Sequence, residues 1–292
     1  MNRIKRGAFL TMDSLQGFFC FDHLTYEPLA KLGWTIDEVS WKRDNVRWDD
    51  YDLVVIRSPW DYQIQPQAFM RVLEQIDRSS APLTNPLSIV RWNFDKAYLR
   101  ELEAQGIPIV PTTWLDKLTQ ADVVAAFEHF ETSEIIVKPN IGAGARDTFR
   151  LTRDSVVATQ EALLVLSSRP VMVQPFLEGI IDRGEYSLFY FGGEFSHSIL
   201  KLPKPGDFRV QEEHGGLISS CPAPPMLRAL GQQVLDAIGA ELLYARVDFV
   251  SLEPDTPVVI EVELIEPSLY FNYDDRSPTR FAHALDRMYR AH

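Results

Sequence analysis

Two rhythms alternate along the chain: apolar runs and period-two alternation that mark strands, and apolar residues three and four apart that mark helices. The first third reads as a strand at 7–12, a helix over 23–32 stopped by Gly33, a strand Trp34–Val39, a strand Tyr51–Ile56 and a helix over 66–77. The run Tyr51-Asp-Leu-Val-Val-Ile56 is apolar almost without alternation, as expected of a strand buried on both faces of a parallel sheet. Strands alternating with helices predict a small α/β domain over 1–92.

From there the order changes to α+β. Asn93 is placed to cap a helix over 94–105, which Gly106 ends, and Pro108 and Pro111 mark a linker. A strand at 112–115, a helix over 119–130, a strand at 134–138, a glycine loop at 141–146, a strand at 147–151 and a helix over 154–167 form a unit over 93–172. The last unit, 173–292, begins within Val171–Leu177. It holds strands at 186–191 and 194–202, a polar loop at 203–216, a helix over 224–238, strands at 244–250 and 257–264, and a helix over 278–290.

Composition narrows the function classes. With 292 residues, 46% of them hydrophobic, the chain can bury a core in two or three units. A net charge of −12 argues against nucleic acid as a partner. The two cysteines, Cys20 and Cys221, have no paired spacing, which fits a reducing cytoplasm better than a disulfide framework or zinc site. The basic start Met1–Gly7 runs into apolar Ala8–Met12, which Asp13 interrupts, so a strand is expected there and not a signal peptide. No apolar stretch reaches the ~20 residues of a membrane span, so no membrane partner is expected.

The candidate chemistry starts in the last two strands before the C-terminal helix. Side chains alternate along Pro257-Val-Val-Ile-Glu-Val-Glu-Leu264, so Glu261 and Glu263 share a face. In Tyr244-Ala-Arg-Val-Asp-Phe-Val250, Arg246 and Asp248 do. If the two strands pair as a hairpin, three carboxylates converge beside an arginine. Carboxylates that close repel unless a cation sits among them, and Mg²⁺ prefers such hard oxygens. An isolated Glu-x-Glu also fits a solvated strand face.

Upstream, Ile135-Ile-Val-Lys-Pro139 is an apolar strand ending in Lys138, a position that calls for an anion. Ile141-Gly-Ala-Gly-Ala-Arg146 follows. Gly142 and Gly144 allow backbone N–H groups close to a phosphate, though a hairpin turn has the same composition. It is no Walker A loop, since no Gly-Lys-Ser/Thr follows. Asp95-Lys96 lies in the first turn of its helix. The strand Val173-Gln174-Pro175-Phe176-Leu177 runs into a proline that frees backbone groups for an adenine edge. Glu185 could accept from ribose hydroxyls.

Taken in order, Asp95-Lys96, Lys138-Pro139, the glycine loop, the Gln174–Leu177 hinge, Glu185, Arg246-Val-Asp248 and Glu261-Val-Glu263 resemble the ATP-grasp superfamily, over roughly 93–270. The resemblance implies a small α/β domain preceding two α+β subdomains that hold ATP between them. Lys96, Lys138, Gly142 and Gly144 would lie on the phosphates, Gln174, Phe176 and Leu177 at the adenine hinge, and Glu185 on the ribose. Asp248, Glu261 and Glu263 would hold Mg²⁺, with Mn²⁺ as an alternative. The family usually has asparagine where Glu263 stands. Its chemistry is phosphorylation of a carboxylate by ATP, then attack of an amine on the acyl-phosphate, with no protein nucleophile. The layout is similar to glutathione-synthetase-like and ribosomal-protein-tailing enzymes. Arg57–Tyr62, Trp92–Lys96 and Glu263–Ser268 are similar to the cyclising ligase type that forms D-cycloserine.

On the substrate side, Arg209 in the loop 203–216 and Lys201 before it, with Arg246, are candidates to stabilise the acyl-phosphate. Arg57, Asp61 and Tyr62 leave the carboxyl end of a buried strand, where open α/β sheets bind ligands, and could read the two charges of an amino acid. Glu266 and Ser268 could meet its amine. The sequence therefore predicts an ADP-forming carboxylate–amine ligase on a small amino-acid-like substrate, intermolecular or cyclising. A phosphotransferase or a nucleotide sensor on the same fold are the alternatives, and monomer and homodimer both stay open.

Overall fold

The computed structural model describes residues 3–142 and 144–291. Ala143, inside the expected glycine loop, lies outside the described residues. The N-terminal sheet is parallel, in the order β2-β1-β3-β4, from β1 (Lys5–Thr11), β2 (Trp34–Ser40), β3 (Leu53–Ser58) and β4 (Leu83–Thr84). Leu53 to Ile56 are no more than 1% exposed, as their unbroken apolar run requires. Around the sheet lie α1 (Tyr26–Lys31), α2 (Pro66–Asp77) and α3 (Leu87–Asn93). Proline opens α2, and Phe69, Leu73 and Ile76 form its buried stripe at helical spacing.

The next helix, α4 (Tyr98–Ala104), starts later than expected. Asn93 caps nothing: it ends α3, and its side-chain amide donates to the Val262 carbonyl (2.8 Å) while its oxygen accepts from Leu264 N–H (2.9 Å). A buried amide that satisfies two strand groups outranks a local cap. The middle sheet is antiparallel, β5-β8-β6-β7, from β5 (Thr113–Leu115), β6 (Glu134–Pro139), β7 (Phe149–Thr152) and β8 (Val171–Pro175). It is backed by α5 (Gln120–His129), which opens on a reciprocal Thr119/Asp122 capping box, and by α6 (Val156–Leu166). The expected division at 172/173 cuts β8, which belongs wholly to this sheet.

After a short α7 (Gly179–Asp182) comes the third sheet, antiparallel, β11-β10-β9-β12-β13. Its strands are β9 (Glu185–Phe191), β10 (Glu194–Leu202), β11 (Leu217–Ser220), β12 (Tyr244–Ser251) and β13 (Pro257–Glu263). β11 was not expected: its pattern is too polar to stand out, and pairing with β10 creates it. On one face sits α8 (Pro225–Ile238), sharing a core with Tyr98, Leu99 and Leu102 of α4, so α4 packs on the third sheet. On the other sits α9 (Ser277–Ala291), whose Phe281, Ala284 and Leu285 join Phe191 of β9 to Phe9, Leu29 and Trp34 of the N-terminal domain. The C-terminal helix thus seals the first domain to the third sheet. No helix among the described residues is long and apolar enough to cross a membrane.

Candidate active site

β12 and β13 pair antiparallel, with Arg246 opposite Glu263 and Asp248 opposite Glu261, and a register shift follows Asp248. Asp248, Glu261 and Glu263 each bring an oxygen within 4.8 Å of the others. Arg246 reaches back along its own strand to Asp248 (Nη2 to Oδ2, 2.8 Å) and across to Glu263. Asp248 also accepts from Ser187 Oγ (2.5 Å) and lies 3.7 Å from Lys201 Nζ. Lys96 Nζ binds Glu261 (2.9 Å) and the Gly142 carbonyl (2.5 Å), tying β13 to the glycine loop.

The charge balance is uneven. Burial alone would raise every one of these acids. For Asp248, Arg246 and Lys201 outweigh it and hold the carboxyl below its ordinary value, and Lys96 and Lys138 do the same for Glu261. Glu263 is pushed up to about 8 by burial, with Glu261 and Asp248 adding to the rise against the pull of Arg246. Glu266 is pushed up to about 7 by burial. Burial also lowers Lys138 to about 8. Among the described residues no carboxylate lies within 4.0 Å of Lys138, which lines the cavity without an ion-pair partner.

These groups line one cavity of about 410 Å³ between the middle and third sheets. One part is apolar, walled by Val110, Ile136, Phe176, Leu177, Val250 and Ile260. The hinge is partly committed: Phe176 N–H donates to the Glu134 carbonyl (2.9 Å), and Gln174 Nε2 donates to Thr112 Oγ1 (2.9 Å). The Arg150 guanidinium covers the Phe176 ring at 3.7 Å. Gly142 and Gly144 line the cavity, and Gly144 has φ +62°, a left-handed conformation natural to glycine.

Glu185 faces the cavity but spends one oxygen on Lys201 (2.9 Å), and Lys201, only 3% exposed, links it to Asp248. Arg209 lines the cavity too, held by Asp207 through Nη2 (2.8 Å) and Nε (3.1 Å). From the same loop His214 approaches the Gly144 carbonyl at 3.5 Å, so the loop 203–216 meets the glycine loop.

The N-terminal candidates divide. Glu266 and Ser268 line the cavity; Arg57, Asp61 and Tyr62 do not. Arg57 is 1% exposed, paired with Asp22 (3.0 Å), donating to the Pro267 carbonyl (3.2 Å) and stacked 5.1 Å from the Tyr244 ring centroid. It holds the fold and reads no ligand. Asp61 accepts from Trp41 Nε1 (2.6 Å) and pairs with Lys42 on the outer side. Tyr62 is buried with its hydroxyl against the Glu266 carboxylate. Cavity residues that sequence reasoning did not single out are Phe18, Trp60, Gln63, Phe208 and Tyr270. Trp60 and Gln63 flank the chosen positions, and a small shift along that segment finds them. Phe18 carries no local signal.

A cavity between two α+β units, with lysines and a glycine loop on one wall and a carboxylate cluster on the other, defines the ATP-grasp class of ligases. Residues 104–268 match the family model described as prokaryotic glutathione synthetase, ATP-grasp domain, and residues 8–85 match that of the D-cycloserine synthetase DcsG N-terminal domain. The chain belongs to the ATP-grasp ligases of the DcsG type. It is 31% identical over 276 residues to the cycloserine biosynthesis protein DcsG of Streptomyces lavendulae, covering 89% of this chain and 90% of that one. The glutathione synthetase of Bordetella parapertussis is 24% identical, with 96% and 90% covered. The crystal structure of D-cycloserine synthetase DcsG superposes with a TM-score of 0.85 at 29% identity, over 97% of this chain and 99% of that one.

Proposed function

We propose that this ligase joins a carboxylate to an amine through an acyl-phosphate, releasing ADP and phosphate, on a small amino-acid-like substrate, and that its metal is magnesium. The observation that carries this is the convergence of Asp248, Glu261 and Glu263 in the cavity that also holds Lys96 and Lys138. The donor set fits a hard divalent cation: three carboxylate oxygens within 4.8 Å, one of them on a residue pushed up by burial and, further, by its acidic neighbours. Asp248, Glu261 and Glu263 would hold the ion, which when bound would supply positive charge to neutralise the transferring phosphoryl group. Lys96 and Lys138 would hold the triphosphate with the N–H groups of the glycine loop, and the apolar wall at Phe176 and Leu177 would take adenine. Glu185 would face the ribose. Lys201, Arg209 and Arg246 would bind the phosphorylated carboxylate and hold it for attack, while the loop 203–216 excludes water. Nothing here asks the chain for a nucleophile.

The similarity to proteins of cycloserine biosynthesis supports a reaction in which carboxylate and amine belong to one molecule. Incubation with Mg-ATP and a panel of free amino acids, alone and in pairs, tests both points. Equal amounts of ADP and phosphate are expected, with a cyclic amide when a single amino acid suffices. ADP without phosphate would indicate a phosphotransferase, and binding without turnover a sensor.

A further inference from the structure

Tyr270 holds a left-handed backbone, with φ +46°. Among the described residues other than glycine that do so, it is the buried one. A bulky side chain rarely adopts that region, and it persists there only where the surroundings over-determine it. The loop running from β13 to Tyr270 is gripped along its carbonyls. Asn85 donates to Leu264 (2.8 Å), Tyr244 to Ile265 (2.8 Å), Trp60 to Glu266 (2.9 Å) and Arg57 to Pro267 (3.2 Å), while His197 Nε2 lies 3.0 Å from the carbonyl of Leu269. The ring of Tyr270 then packs between Phe189 and Tyr273, at centroid distances of 6.1 and 5.8 Å. The first domain and the third sheet together deliver one phenol to a fixed place on the cavity wall.

That place is where the phosphorylated carboxylate would sit. Lys201 Nζ stands 5.9 Å from the centroid of the ring. Burial pushes the hydroxyl up to about 12, against the pull of Lys201 and Arg246 and with the help of Glu213 and Glu212 from the loop 203–216. The hydroxyl therefore keeps its proton at neutral pH. The cations around it are already engaged: Arg246 with Asp248 and Glu263, Lys201 with Glu185, and Arg209 with Asp207. Among the described residues, the Tyr270 hydroxyl has no hydrogen-bond partner. It is a neutral donor, held in place, at the edge of a positive field.

We propose that Tyr270 is a catalytic residue whose hydroxyl donates to the carbonyl oxygen of the acyl-phosphate and stabilises the negative charge that forms there as the amine attacks. The inference rests on the ligase reading and deepens its second step. The nitrogen lone pair forms the C–N bond, and the carbonyl π pair moves onto the oxygen that faces Tyr270. When that pair returns, the C–O bond to phosphorus breaks and phosphate leaves with its electrons. The proton lost by the amine goes to the departing phosphate, and Tyr270 keeps its own throughout. A donor aimed at charge that develops only in the transition state acts on kcat and leaves substrate binding nearly unchanged.

The test separates the two steps in the wild type and in Tyr270→Phe, which retains the ring and its packing. The probes are free D- and L-amino acids with Mg-ATP, and hydroxylamine as a common nucleophile. Scrambling of a heavy-oxygen label from the β,γ bridge of ATP, without hydroxylamine, reads formation of the acyl-phosphate. Hydroxamate formation reads the attack. The wild type is expected to do both. In Tyr270→Phe the kcat for hydroxamate is expected to fall ~10²-fold, as loss of one oxyanion donor does. Scrambling and the KM for ATP should stay within about threefold, which also shows that the variant is folded. Hydroxamate formation within threefold of wild type, or a parallel loss of scrambling and hydroxamate, would overturn the role of Tyr270 and leave the ligase. A wild type that forms no hydroxamate with any amino acid would sink the ligase reading and this role with it.

Discussion

Lys138 and Glu261 show how single residues are set up for a charged ligand. Lys138 emerges from an apolar strand, is lowered to about 8 by burial and lacks a protein carboxylate within ion-pair range among the described residues. Lys138→Ala is expected to raise the KM for ATP about tenfold or more, the cost of one charge-assisted contact, while an unchanged KM would remove it from the phosphate site. Glu261 is held below its ordinary value by the two lysines despite burial. Glu261→Gln should lower turnover ~10²-fold, as loss of one preorganised electrostatic contact does, measured by phosphate release at saturating ATP. Away from the site, His197 stacks on Phe189 (4.3 Å between centroids), with Nε2 3.0 Å from the Leu269 carbonyl and Nδ1 3.0 Å from Ser196 Oγ. Arg280 Nε donates to that same hydroxyl, so Ser196 donates to Nδ1 and the ring is neutral, with its proton on Nε2. Burial lowers His197 to about 4. An unfolded histidine titrates near 6.5, so between these values the unfolded chain binds a proton the fold refuses. Stability is unaffected above pH 6.5 and falls as pH drops toward 4, by roughly 2 kcal/mol at pH 5. Urea midpoints at pH 7.5 and 5 should differ less in His197→Gln than in the wild type.

At the scale of elements, the β12–β13 hairpin was legible because strand parity alone puts Arg246, Asp248, Glu261 and Glu263 on one surface, and the register confirms that placement. The buried β3 and the glycine stop before β2 were legible for the same reason: local pattern and local structure agree. The helix start at Asn93 and the ligand role of Arg57 were not. Both side chains answer partners far away in sequence, Val262 and Leu264 for one and Asp22 and Pro267 for the other, which no local pattern records. Gly184 shows how an element junction supports the site. It precedes β9 with φ +75°, and a Cβ there would stand 2.5 Å from the Lys201 carbonyl of the neighbouring β10. Gly184→Ala should therefore cost ~2–3 kcal/mol in strain and displacement. That corresponds to a Tm lower by roughly 5–10 °C in calorimetry. A Tm equal to the wild type would show that the strands give way freely.

Across the whole molecule, three sheets meet around one cavity, and the site depends on all of them. The middle sheet supplies Lys138 and the hinge, the third sheet the acids, and the N-terminal domain clamps the loop that carries Glu266. The helix α9 joins the first and third of these through Phe9, Phe191 and Phe281, and that long-range closure was invisible in the sequence. Glu185, Glu213, Asp248, Glu261, Glu263 and Glu266 are matched in number by Lys96, Lys138, Arg146, Lys201, Arg209 and Arg246 before any triphosphate enters. A nucleotide alone would leave the cavity with an excess of negative charge; a nucleotide with a divalent cation would relieve it. The most direct measurement is a calorimetric titration with AMPPNP, with and without Mg²⁺, on the wild type and on Glu261→Gln. Magnesium is expected to tighten binding at least tenfold in the wild type and far less in the variant, with tenfold equal to about 1.4 kcal/mol. Equal affinity with and without the ion in the wild type, or an undiminished magnesium effect in Glu261→Gln, would contradict the assignment of this cavity as a metal–nucleotide site.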